Sequence, residues 1–98
     1  MPLTVFRLRL NEDFKEPYLE QALRMNEIVT SIPGYISHKR FTADDGERVT
    51  IVEFEDDASQ IAWANHPEHL EARRLGRELY FTEYDISVCE VIRRYKKP

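Results

Sequence analysis

Apolar and polar residues alternate through "LTVFRLRL": Phe6, Leu8 and Leu10 fall on one side of an extended chain, Val5, Arg7 and Arg9 on the other. This period of two predicts a strand. After Asn11 the rhythm changes. Tyr18, Ala22, Met25, Val29 and Ile32 recur at intervals of four, three, four and three, drawing one apolar stripe on a helix over about residues 14–31. Asp13 with Glu16 fits a capping box, and Pro17 offers a later start. Pro33 cannot continue the helix, and Gly34 is free to take a positive φ.

The segments "YISHKRFT" and "RVTIVEFE" are rich in β-branched and aromatic residues, and "ADDG" between them supplies loop chemistry, so together they predict a hairpin. From Asp57, read as an N-cap, a helical stretch runs to about residue 65, restarts at Pro67 and continues to about residue 80. "YDISVCEVIRRY" then returns to a strand with Ile86, Val88 and Ile92 on one face. The order β-α-β-β-α-β is that of an α+β, ferredoxin-like split βαβ sandwich, an antiparallel sheet with helices on one face. At 98 residues the chain, 1–98, is expected to be one domain.

By the same alternation the uncovered sheet face carries Val5, Ile36, Val49, Ile51, Cys89 and Val91 among Arg7, Arg9, His38, Arg40, Glu53 and Glu55. A face half apolar and half charged suits an interface. Two copies stacking these faces would bury it, which predicts a homodimer. A domain this small also gains from a partner that extends its core.

Composition narrows the function classes. Charged residues make up 33% of the chain with a formal net charge of −4, which argues against a protein that neutralises nucleic-acid phosphates. No stretch approaches the roughly 20 apolar residues of a membrane span. "MPLTVFRLRL" alternates instead of forming a continuous signal-peptide core, so no membrane partner and a cytoplasmic location are expected. Cys89 is the sole cysteine, which precludes an intrachain disulfide, and it reads as a buried, inert thiol. No nucleophile elbow, phosphate loop or dinucleotide fingerprint occurs.

The chemistry concentrates in "IAWANHPEHLEARRLG", residues 61–76. Preceding a proline, His66 should sit extended at a helix break with Pro67 in the first turn beyond it. Helical rotation then directs Ala72, Leu75, Gly76 and Leu79 toward the sheet and turns Glu71, Arg73, Arg74 and Glu78 largely outward, leaving His69 at the lip of the buried side. His66 and His69 have a spacing seen in zinc sites, but zinc takes three or four protein ligands and no further His or Cys lies nearby, so no metal is expected. His38, on a strand, reads either as a satisfied structural histidine or as a hydrogen-bond partner inside a cavity. Trp63 reads as core or as the wall of a pocket for a flat ligand. Arg73, Arg74 and Arg77 read as a solvated face, with Glu71 and Glu78 in pairing range. The tail "RRYKK" reads as exposed charge.

The run "WANHPEHLEARRLGRELYFTEYDISVCEV", with "IPGYIS" and "FEDDAS" upstream, resembles the antibiotic biosynthesis monooxygenase family of small dimeric α+β-barrel proteins, and the likeness extends over essentially the whole chain. The resemblance implies a dimeric α+β barrel with a cleft between helices and sheet in each subunit. It further implies oxidation of phenolic or quinol-like polyketide intermediates by dioxygen, without metal or flavin cofactor. On that reading Trp63 and Phe81 would wall the cleft, His66 or His69 would be the base or hydrogen-bond partner, and Arg7 or Tyr84 would steady a developing oxyanion. A branch of the same superfamily degrades haem, with a histidine ten residues after the helix tryptophan and an asparagine on the first strand. Here position 73 is arginine and the first strand lacks asparagine, which sets haem chemistry aside. The alternative is a non-catalytic dimeric module of the same fold, in which the histidines face solvent or make structural hydrogen bonds.

Overall fold

In the computed structural model, which describes residues 1–98, the alternating N-terminal run forms strand β1 (Pro2–Leu10) and the apolar stripe forms helix α1 (Lys15–Ser31). The hairpin comprises β2 (Tyr35–Thr42) and β3 (Arg48–Phe54). Then come α2 (Asp57–Ala64), α3 (Pro67–Leu75), a π turn (Gly76–Tyr80) and β4 (Phe81–Glu90). The four strands make one antiparallel sheet in the order β2-β3-β1-β4, the ferredoxin-like arrangement predicted from the order of elements.

Strand register sets the floor beneath the helices. Val88, Thr4, Val52 and His38 form one cross-strand row, and Ile86, Phe6, Thr50 and Arg40 form the next. These rows place His38 and Arg40 on the helix side, whereas alternation predicted them on the open face. The cause is an irregularity in β2: Tyr35 pairs with Phe54 and Ser37 with Glu53, so Ile36 is an extra residue and everything after it changes side.

Two apolar clusters hold the helices to the sheet. Ile28, Val29, Val52, Phe54 and Trp63 form one; Leu8, Tyr18, Ala22 and Tyr80 form the other. Phe54 and Leu8 are almost fully enclosed, at 0% and 1% exposure. The predicted stripe on α1 therefore does face inward, with Ile28 added to it.

Several local expectations are corrected. Asn11, not Asp13, accepts the first backbone N–H, from Asp13, and a 3-10 turn over Glu12–Phe14 leads into α1. Asp56, not Asp57, caps α2, accepting from both the backbone N–H and the hydroxyl of Ser59 at 2.8 Å. Leu79 is exposed and Tyr80 buried, because a π turn is wider than an α turn and its next inward position falls one residue later. Cys89 is exposed, since β4 is an edge strand and no helix covers its open side. Arg94 is not free charge: it reaches across to the buried carboxylate of Glu53.

Candidate functional site

The last carbonyls of any helix lack intrahelical partners, and the break at His66 and Pro67 leaves those of α2 facing the start of α3. The Trp63 carbonyl accepts from the His66 backbone N–H at 3.2 Å and from Nδ1–H of His69 at 2.8 Å, and the Ala64 carbonyl accepts from the Arg73 guanidinium at 3.2 Å. Side chains of α3 thus cap α2. His66 is itself the cap of α3, its Nδ1 accepting from the Glu68 N–H at 3.2 Å.

The capping bond settles the tautomer of His69. A carbonyl only accepts, so Nδ1 carries the proton and Nε2, which makes no hydrogen bond within the chain, presents a lone pair. The ring lies on the Trp63 indole at 3.8 Å between centroids and 12° between planes. Burial pulls the imidazole pKa down to about 4, with the nearby Arg73 and His66 acting in the same direction and the Trp63 bond opposing it. At neutral pH this ring is uncharged.

Trp63 and His69 wall a cavity of about 260 Å³ between the helices and the sheet. Its floor is the two cross-strand rows; its roof includes Tyr18, Met25 and Asn26 of α1 and Gln60 of α2. Phe81 packs edge-on against Phe6 at 5.5 Å and Tyr18 at 5.6 Å. It lies so close to Gly76 that a β-carbon there would meet the Phe81 ring at 2.3 Å. Glycine at position 76 therefore lets Phe81 stand where it does. His38, whose Nδ1 is 2.6 Å from the Tyr35 hydroxyl, has its pKa lowered by burial and by Arg40. Burial raises the Tyr18 phenol, while Arg40 and Arg48 oppose that rise.

Of the residues singled out from sequence, Trp63, His69, His38, Phe81 and Tyr84 line this cavity. Arg7 and His66 do not. Arg7 points from the opposite face of the sheet and makes a two-pronged contact with Glu47 at 3.0 and 3.2 Å. Sequence reasoning missed Thr4 and Asn26, whose side-chain oxygens are buried in the lining without a hydrogen-bond partner, and the arginines Arg40, Arg73 and Arg77. Some signal for them existed. Thr4 is in phase with the inward Phe6 and Leu8, and Arg73 stands one helical turn beyond His69.

The sequence profile of the antibiotic biosynthesis monooxygenase family matches residues 1–75. This chain belongs to that family. The matched segment ends with α3, so the π turn and β4, which supply Phe81 and Tyr84 to the cavity, lie outside the profile. The uncharacterized protein YqjZ of Bacillus subtilis is 27% identical over 77 residues, 79% of this chain and 68% of that one. Among solved structures, SnoaB of Streptomyces nogalater, a cofactor-independent oxygenase, superposes with a TM-score of 0.81 at 15% identity, covering 98% of this chain and 97% of its own. Rv0793 of Mycobacterium tuberculosis superposes with a TM-score of 0.82 at 17% identity, covering 98% and 100%. At these identities the superpositions establish the shared fold.

Proposed function

We propose that this chain is a cofactor-independent monooxygenase that oxidises an electron-rich aromatic phenol or quinol of polyketide type with molecular oxygen, working as a cytoplasmic homodimer. The observation that carries the reading is the junction of Trp63 and His69: a stacked indole and imidazole on the wall of a largely apolar cavity, with Nε2 uncommitted. Membership of the monooxygenase family supports it. No helix is long and apolar enough to cross a membrane.

The chemistry needs little apparatus. At a ring CH2 flanked by aromatic rings, one atom of dioxygen becomes the carbonyl and the other leaves as water with the two hydrogens, so electrons balance without an added reductant. Sharing the phenolic hydrogen with an acceptor raises the energy of the ring electrons and eases transfer of one to oxygen. The conjugate acid of His69 is too acidic to store that proton; Nε2 instead aligns the hydroxyl and shares its hydrogen. Asn26 Oδ1 offers a second acceptor without a partner.

A second reading, a non-catalytic binding module, is favoured by the capping bonds of His66 and His69, which give both histidines structural work. Oxygen-electrode assays over a panel of anthrones and naphthoquinols separate the two. His69→Asn is the informative variant, since its amide can keep the bond to the Trp63 carbonyl while Nε2 is lost. Catalysis predicts that wild type consumes oxygen with at least one panel member, that kcat/KM falls about 10- to 100-fold in His69→Asn, and that His66→Ala loses stability rather than turnover. A panel wholly inert to the wild-type protein would leave the binding module as the reading.

A further inference from the structure

The chain is acidic, with 18 carboxylate side chains against 14 basic ones, yet no Asp or Glu lines the cavity. Its only charged lining residues are Arg40, Arg73 and Arg77, and none has a carboxylate within ion-pair distance. Most arginines elsewhere are neutralised: Arg7 by Glu47, Arg9 by Asp45 and Glu83, Arg24 by Glu27 and Glu68, Arg74 by Glu71 and Glu78, Arg94 by Glu53. Three arginines thus line one hollow, while the paired acids lie outside it. Arg73 and Arg77 stand four residues apart on the roof, and Arg40 rises from the floor row that contains Phe6 and Thr50. Two of the charges act inward: Arg73 helps to hold His69 uncharged, and Arg40 does the same for His38 and opposes the rise of the Tyr18 phenol.

An apolar slot with uncompensated guanidinium groups and no acid selects for a flat ligand that brings its own negative charge. We infer that the ligand of this cavity is an aromatic carboxylate, its rings against Trp63 and Phe81 and its acid group answering Arg77 and Arg40. This rests on the proposed function for the site and narrows its substrate class: the hydroxyl to be activated and the acid that anchors the molecule belong to one compound. Arg73 contributes field, while one of its nitrogens is committed to the Ala64 carbonyl.

The test compares 1-hydroxy-2-naphthoate with its methyl ester, of nearly the same shape without the charge. Binding is read anaerobically by quenching of Trp63, the sole tryptophan and itself a wall of the cavity. The acid is expected to bind at least about tenfold more tightly than the ester, with the preference shrinking as salt rises. In Arg40→Gln/Arg77→Gln, substitutions at two exposed positions with the fold checked by circular dichroism, the preference for acid over ester should collapse to about threefold or less. Equal binding of acid and ester, a preference that survives the double variant, or quenching by neither compound would overturn the inference. Oxygen consumption measured separately distinguishes the two claims: preference without turnover of any acid or neutral quinol defeats the monooxygenase reading alone, whereas turnover of neutral quinols with indifference to the acid defeats this inference alone.

Discussion

His69 can serve both the fold and the proposed chemistry because its two nitrogens differ. Nδ1–H closes the end of α2, and Nε2 makes no hydrogen bond within the chain, on a ring that lines the cavity. Its depressed pKa has a consequence for stability. The unfolded imidazole takes up a proton near pH 6.5 while the folded one resists until about pH 4, so the unfolded chain binds more protons between those values. Stability is therefore complete above about pH 6.5 and declines as the pH falls toward 4, by up to ~3 kcal/mol from this residue. His38, lowered in the same direction, adds to the slope. Urea midpoints measured from pH 7.5 to 4 should fall in wild type and fall distinctly less in His69→Asn; parallel curves would refute the assignment. The spacing of His66 and His69 in sequence made them look alike, and only their partners separate them, one capping a helix outside the cavity and one standing in its wall.

The placement of α2 depends on a contact between segments far apart in sequence. Gly34, in the turn after α1, has φ of +92°, and a β-carbon there would lie 1.9 Å from the Ser59 hydroxyl, which Asp56 holds in the first turn of α2. Gly34→Ala meets both a strained backbone and a clash with a buried, hydrogen-bonded side chain, and should cost at least about 2 kcal/mol in chemical denaturation. It should also blunt the near-ultraviolet dichroism of Trp63, which the same helix carries. An unchanged unfolding midpoint would count against this account. The proline and glycine of "IPGY" announced a turn; that the glycine also makes room for another helix could not be read from them. The same holds for Gly76 beneath Phe81.

Taken as a single body, the protein leaves much apolar surface open. Tyr84, Ile86 and Val88, at the β4 edge of the cavity, are 47%, 43% and 53% exposed; no helix lies over the other sheet face, which holds Val5 and Ile51. The charges on that open face are largely satisfied within the chain, Arg7 by Glu47 and Arg9 by Asp45 and Glu83, so a second copy could cover it without stranding ions. Sedimentation velocity at micromolar concentration is expected to give a species of twice the 11.7 kDa chain mass, and Ile51→Glu on the open face should yield a folded monomer. A monomeric wild type would overturn the dimer.

Periodicity carried the strands, the α1 stripe and the order of the elements, because spacings of two and of three to four reflect which side of a backbone faces oil and which faces water, and that is written locally. Trp63 and His69 were legible as side chains on core or lip positions, whereas Phe81 was named only through the family resemblance. Arg40 and His38 changed face through one extra residue in β2, and Tyr80 displaced Leu79 through a widened turn; each is a local departure that strand pairing and packing impose and that alternation alone cannot reveal. The charge of the cavity is likewise a property of assembly: three arginines from two distant stretches meet in one hollow, and the carboxylates that might have paired with them are held elsewhere, an outcome set by which surfaces the folded chain brings into contact.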